Sequence, residues 1–300
     1  MHMRNMFVAF ASCLAVWLLA ERARPMDHPF LIVRKDDFAS LRRRAKHSPW
    51  KEMRKDALAI SRKKGNEKTL EDPGTYCRYV GACGLTYILD PADQDAHARK
   101  IEQAITKHLP QPDEGKAWEG VVPTGRAIWI SILALDIVHG GLSAEAVAAC
   151  EKTIARTIAK IERRGAWPLS RMGVHGTWDI YRGTRTGPDD AYYNELMSQI
   201  SADGVTTTAV GYAFHRLASG DSRPQKTGYA DVLEHTGLDK RYYTNEKLQA
   251  HSVWLFGSAF APNKRFARIG DTGVAWGKPR RHMLPRRVGR FSNEAAAYAA

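Results

Sequence analysis

Cysteine is scarce in this chain, with four occurrences in 300 residues. Cys13 lies in an N-terminal apolar run typical of a removable leader, so Cys77, Cys83 and Cys150 remain in the mature chain. An odd number of thiols excludes a complete disulfide framework. Cys77 and Cys83 would lie about 9 Å apart along a predicted helix, which is too far for an unstrained bridge. We therefore expect buried free thiols.

The sequence also lacks the signs of a metal centre and of a membrane span. No His or Cys falls at the usual paired ligand spacings, so we expect neither a metal nor a cofactor. The apolar run over residues 6–20 follows a short basic stretch and is shorter than the roughly 20 residues of a transmembrane helix. We expect a signal peptide over 1–20, one domain over 21–278, and an irregular basic tail or the truncated start of a further domain over 279–300. The expected location is periplasmic or secreted.

Acidic residues are in the minority. Lys and Arg number 45 against 32 Asp and Glu, which gives a net charge of +13. Such an excess favours an anionic partner: nucleic acid, an acidic membrane surface or an acidic polymer. Because export argues against nucleic acid, we expect an acidic polysaccharide as the partner. We expect no nucleic acid, and no membrane once the leader is removed.

Helical patterns dominate the chain after residue 35, and its first half shows no comparable strand pattern. Helices are predicted over 36–46, 48–64, 75–89, 91–109, 124–138, 143–163, 189–201, 205–219 and 244–258. The Gly-, Pro- and Trp-rich segment 165–190 predicts a long functional loop, and 220–228 a shorter one. Short connectors between helices predict helical hairpins. The expected fold is all-α, best explained by a complete or incomplete α/α toroid, with a stacked solenoid as the alternative.

Four segments carry a family resemblance: HPFLIVRKDDFASLRRRAKHSPWKEM from residue 28, HGTW from 175, ISADGVTTTAVGYAFHRL from 200 and FGSAFAPNKRFARIGDT from 256. Together they resemble the helical domain of heparinase II/III-like and alginate-lyase-like polysaccharide lyases. The resemblance implies an α/α toroid and β-elimination, with Tyr212 as the acid and His175 as a catalytic histidine. Gly173 and Val174 replace the family's Asn-Asn pair, and a run of threonines replaces its Glu. The chain reaches Ala300 without the β-sandwich that normally follows.

Elimination at a uronate needs a neutralised carboxylate, removal of the C5 proton and protonation of the leaving oxygen. The candidates for proton transfer are Tyr212 and His175, whose ordinary pKa lies near 6.5. Arginine binds a carboxylate through two parallel hydrogen bonds and keeps its positive charge. Flat aromatic rings can stack on sugars. The expected binding residues are therefore Arg182, Arg185, Trp178, Trp167 and His215. Each of these also has an ordinary interpretation as a packed ring or a solvated charge.

Two other functions stay open on the sequence alone. A glycoside hydrolase needs two carboxylates roughly 5 to 9.5 Å apart, which would come from among Asp179, Asp189, Asp190 and Asp203. A non-catalytic carbohydrate-binding protein is the other alternative, since the family's Asn-Asn pair is replaced.

Overall fold

The computed structural model describes residues 27–63, 67–112, 121–202, 224–248 and 250. Within these ranges the chain folds into helices, and no strand occurs. The predicted all-α class is therefore confirmed. The predicted leader and C-terminal tail, and the predicted site residues Tyr212 and His215, lie outside the described residues.

The helices are numbered here in chain order. They are α1 (Asp37–Arg44), α2 (Trp50–Ser61), α3 (Glu67–Leu70), α4 (Pro73–Leu89), α5 (Gln94–His108), α6 (Pro123–Val138), α7 (Ala144–Ile158), α8 (Pro168–Tyr181), α9 (Asp190–Ser198), α10 (Pro224–His235) and α11 (Arg241–Thr244). Two 3-10 turns, Pro91–Asp93 and His139–Gly141, follow α4 and α6. None of the described helices is long and apolar enough to cross a membrane.

The helices pack in two rows. Helices α2, α4, α6, α8 and α10 each contact the next in that order, and α3, α5 and α7 form a second row. Contacts of α5 with α4 and α6, and of α6 with α7, join the rows. From α2 to α8, successive helices of the chain therefore belong in turn to the first row and to the second row.

The sequences of α6 and α7 explain their different positions. Nearly all of α6 is buried, because the run AIWISILALDIV is apolar on every face and needs neighbours all round. Helix α7 buries one stripe, formed by Val147, Cys150, Ile154, Thr157 and Ile158, and turns its charged residues to solvent. Helix α6 is thus covered on all sides, whereas α7 is covered on one.

The three described cysteines confirm the prediction of free thiols. Cys83 and Cys150 are buried and Cys77 is partly buried, and none forms a disulfide. Burial raises the pKa of Cys77 and Cys83 to about 11 and that of Cys150 to about 12. All three therefore stay protonated and poorly reactive at neutral pH.

The prediction of a long loop over 165–190 was wrong. Helix α8 occupies Pro168–Tyr181, and α10 similarly extends into the segment predicted as a loop over 220–228. Two of the glycines that indicated a loop have a packing role instead. A Cβ at Gly176 would overlap the Tyr229 ring, and one at Gly228 would overlap the Trp129 ring. Glycine at these positions lets α8 and α10 approach their neighbours closely.

We expect Gly176→Ala to destabilise the protein by about 1 to 3 kcal/mol, because the added methyl group overpacks the α8–α10 contact. Urea unfolding followed by circular dichroism would measure the change. Gly187→Ala is the matched control, since a Cβ there meets nothing within 4 Å. Equal unfolding free energies for the two variants would contradict this account of the contact.

Candidate functional site

One carboxylate anchors the N-terminal segment on helix α6. Asp136 is fully buried. Its Oδ1 accepts a hydrogen bond from Nδ1 of His28 at 2.6 Å. Its Oδ2 accepts from the backbone N–H groups of Phe30 at 3.0 Å and Leu31 at 2.9 Å. A buried carboxylate needs such donors, so this interaction fixes both the position and the tautomer of the His28 ring.

Around His28 the structure assembles a line of aromatic rings, which we call the ring row: His139, His28, Tyr181 and Trp178. The His139 and His28 rings stack with centroids 4.0 Å apart, and His28 lies 4.9 Å from Tyr181. Tyr181 in turn stacks on Trp178 at 5.3 Å. The guanidinium carbon of Arg182 lies 5.7 Å from the Trp178 ring centroid, at the end of the row. Tyr181 and Trp178 are buried, with 5% and 9% of their surface exposed, whereas His28 and His139 are partly exposed. The row therefore reaches solvent at the two histidines and at Arg182.

The members of the ring row differ in protonation. Burial, followed by the proximity of His28, lowers the pKa of His139, so this ring is neutral at pH 7. Burial, followed by the charge of Glu151, raises the pKa of Tyr181, whose hydroxyl donates to Glu151 Oε1 at 3.1 Å. Tyr181 is therefore a fixed donor and not a base.

His28 has the arrangement of a supported general base. With Nδ1–H donating to Asp136, the other ring nitrogen, Nε2, carries the free lone pair. The same use of a carboxylate to orient an imidazole recurs in hydrolytic triads. The His28 side chain keeps 18% of its surface accessible. Arg182 is exposed at the other end of the row. The arrangement combines a partly exposed imidazole, buried rings behind it and an exposed cation.

His175 does not belong to this cluster. It lies on α8 and not in a loop, is 6% exposed, and its Nε2–H donates to the Ile161 carbonyl at 2.7 Å. Burial is the main cause that lowers its pKa. Arg171, on the same helix, donates to the carbonyls of Glu162 and Ala166, both at 2.7 Å. Together these two side chains hold the connection between α7 and α8.

The two predicted arginines have different environments. Nη2 of Arg185 pairs with Asp189 Oδ2 at 3.2 Å, and the Tyr229 hydroxyl donates to the same oxygen at 2.8 Å. Arg185 is therefore engaged inside the protein. Arg182 lies over the Trp178 ring and has its guanidinium at the surface. Of the two, Arg182 is the one positioned to meet a ligand.

The two predicted tryptophans lie at opposite ends of α8. Trp167 is the residue before the helix and has a left-handed backbone, with φ of 62° and ψ of 50°. This conformation is uncommon for a residue other than glycine. Eleven residues of helix place it about 16 Å along the axis from Trp178. A single sugar ring therefore cannot contact both residues.

The carboxylates suggested for a hydrolase are occupied by ion pairs within the described chain. Asp179 accepts two bonds from Arg163 at 3.0 and 3.1 Å. Asp190 pairs with Arg241 at 2.8 Å. Asp189 accepts from the Tyr192 backbone at 3.1 Å, besides its bonds to Arg185 and Tyr229. Asp203 lies outside the described residues.

Sequence reasoning missed His28, Asp136 and His139. One signal was available: Asp136 is the only charged residue in the apolar stretch AIWISILALDIV of residues 127–138. An isolated carboxylate in a buried helix indicates a donor elsewhere in the chain. Across the described ranges, no group of three or more His, Cys, Asp or Glu could hold a metal ion.

Comparison of the chain with family models, with curated proteins and with solved structures gave no match. The interpretation of the site therefore depends on its geometry, its charge and the motif resemblance.

The stability of the protein should decrease on acidification. Burial is the main cause that lowers the pKa of four histidines: His97, His139, His175 and His235. A depressed folded-state pKa means that the unfolded chain binds more protons. Their contribution is therefore complete above the unfolded pKa of about 6.5 and is lost as the pH falls toward the folded pKa.

We expect the free energy of unfolding to fall between pH 7.5 and pH 5, and to fall less in His175→Gln. The Gln amide can still donate to the Ile161 carbonyl but does not titrate. Urea unfolding at a series of pH values tests this, with His47→Gln as the control at an exposed position. Identical pH profiles for His175→Gln and the wild type would exclude His175 as a contributor.

Proposed function

We propose that this protein is an exported lyase that cleaves a uronate-bearing acidic polysaccharide by β-elimination. The observation that carries the proposal is the ring row, which has the Asp136-supported His28 within it and the exposed Arg182 at its end. The net charge of +13 and the resemblance to heparinase II/III-like and alginate-lyase-like lyases support it. The charge favours an anionic polymer, and the resemblance supplies the reaction class.

In the proposed binding mode, Arg182 binds the carboxylate of one uronate of the polymer, and the uronate that reacts lies at His28, toward the other end of the ring row. A charge-assisted pair of this kind anchors the anionic polymer. The partly exposed rings of His28 and His139 supply the flat surface beneath the reacting sugar, and the buried rings of Tyr181 and Trp178 support them. Arg185 contributes indirectly, by holding Asp189 at the start of helix α9.

In the proposed reaction, Nε2 of His28 takes the C5 proton. The electrons of the C5–H bond form the C4–C5 double bond, and the C4–O bond to the leaving sugar breaks. A proton donor then completes the leaving hydroxyl group. By resemblance this donor is Tyr212, which lies outside the described residues. The base is assigned to His28 and not to His175, because the His175 ring is buried and bonded to a backbone carbonyl.

We further propose that the two rows of helices belong to an incomplete α/α toroid. In that arrangement the row α2, α4, α6, α8 and α10 would be the inner wall, and the ring row, which starts at the end of α6 and finishes at the end of α8, would lie at its mouth. Contacts between alternate helices support this proposal. The family resemblance favours a toroid over a stacked solenoid.

A non-catalytic carbohydrate-binding protein is the second candidate function. One observation favours it: Gly173 and Val174 stand where the related lyases carry the Asn-Asn pair. The ring row and Arg182 would hold a uronate equally well without a reaction. A glycoside hydrolase is less well supported, since Asp179, Asp189 and Asp190 are engaged in ion pairs.

We expect the wild-type protein to release an unsaturated, ultraviolet-absorbing product from at least one uronate polymer and none from a neutral glucan. Loss of a positioned proton-transfer group typically slows a reaction about 10² to 10⁴-fold. His28→Gln and Tyr212→Phe should each slow elimination by that order. The Gln amide can still donate to Asp136, and Phe keeps the aromatic ring.

His47→Gln is the control for His28→Gln, because it removes an exposed histidine outside the ring row. A His28→Gln variant that eliminates at the wild-type rate would end the assignment of the base. A wild-type protein that binds uronate polymers but forms no unsaturated product from a full panel would establish the binding-protein candidate.

A further inference from the structure

Two large apolar side chains are exposed to solvent at the start of helix α2. Trp50 is 47% exposed and Met53 is 53% exposed. They border an apolar pocket of about 110 Å³ between α1, α2 and α4. Its other lining residues are Leu41, Arg44, Ala45, Arg54, Leu85 and Leu89. Adjoining exposed apolar groups with a polar rim are typical of surfaces that bind another molecule.

The charge around this pocket is of one sign. Arg44 and Arg54 line it, and no acidic residue does. Between residues 43 and 55 the chain carries six Lys or Arg residues, and Glu52 is the only acid, although Asp56 follows directly. This excess of positive charge favours an anionic partner.

We propose that this surface docks the protein on an anionic phospholipid bilayer. We call it the Trp50 surface: Trp50 and Met53 with the surrounding Arg44, Lys51, Arg54 and Lys55. Tryptophan is enriched at the headgroup level of membranes, where its ring is apolar and its N–H is wet. Basic side chains near an anionic bilayer add favourable electrostatic energy, which complements shallow apolar insertion.

The apolar lining favours a lipid over a polysaccharide as the occupant. Trp50 and Met53 gain by leaving water for the apolar region of a bilayer, whereas sugar hydroxyls placed against them would lose hydrogen bonds. The sequence predicts no membrane partner once the leader is removed. The exposed Trp50 and Met53 side chains, beside an apolar pocket with basic residues around it, indicate such a partner instead. The inference is independent of the proposed elimination reaction.

Vesicle co-sedimentation of the processed, exported protein tests the proposal directly. Vesicles of phosphatidylcholine alone are compared with vesicles in which about a third of the lipid is phosphatidylglycerol. The wild type should bind the anionic vesicles, bind the neutral ones weakly, and lose binding as salt rises. Two variants test the apolar part and the basic part of the Trp50 surface separately. The apolar variant combines Trp50→Ser with Met53→Ser. The charge variant combines Arg44→Gln, Lys51→Gln and Lys55→Gln.

The charge variant should lower the partition coefficient for anionic vesicles by at least about tenfold, since each neutralised charge near the surface contributes about fivefold. The Trp50→Ser, Met53→Ser variant should also lower it by at least about tenfold, because two large apolar side chains no longer leave water. The matched control is Arg99→Gln with Lys107→Gln and Lys152→Gln, which removes the same charge from exposed positions of α5 and α7. It should lower the coefficient far less. Unchanged circular dichroism melting curves would show that the variants fold.

Several results would overturn the proposal. An equal loss in the control variant would mean that the general positive charge, and not the Trp50 surface, binds lipid. Unchanged binding of the Trp50→Ser, Met53→Ser variant would exclude apolar insertion. A wild type that binds soluble acidic polysaccharide through these residues, but no vesicles, would assign the surface to a polymer instead.

Discussion

The arrangement of the site depends on the buried carboxylate of Asp136. A charge removed from water is costly unless donors surround it, and loss of a partner from such a group typically costs about 3 to 5 kcal/mol. Here the donors come from His28, Phe30 and Leu31, more than 100 residues earlier in the chain. The interaction therefore ties the segment before α1 to the end of α6. It also sets the His28 ring between His139 and Tyr181.

Much of the fold follows from the sequence because helical periodicity is a local property. The boundaries of α4, α5 and α6 were predicted to within three residues, and the largely apolar α6 differs visibly from the one-sided α7. The segment around His175 was predicted wrongly because glycine has two uses. At Gly176 it makes room for the Tyr229 ring, and only tertiary packing distinguishes that use from a flexible loop. Placing His175 in a cleft followed from that error.

The site was less predictable, since it forms from residues far apart in the chain. Trp178 and Arg182 were expected to bind a ligand, and they lie together at the end of α8. Sequence gave no means of choosing between Arg182 and Arg185. That choice depends on the ion pair between Arg185 and Asp189. The Tyr229 hydroxyl, on α10, donates a hydrogen bond to the same Asp189 carboxylate. His28, the proposed base, had no local signature beyond its place before a proline.

The central claim is that an acidic sugar binds along the ring row with its carboxylate on Arg182. Calorimetric titration with a short uronate oligosaccharide tests it most directly. The test variant is Arg182→Gln. The control is Arg164→Gln, which removes one positive charge from another exposed arginine. A hydrogen bond to a charged group contributes about 1.5 to 3 kcal/mol. The account therefore predicts that Arg182→Gln weakens binding by about tenfold or more, while Arg164→Gln binds nearly as the wild type does. Equal affinities for the two variants would contradict it.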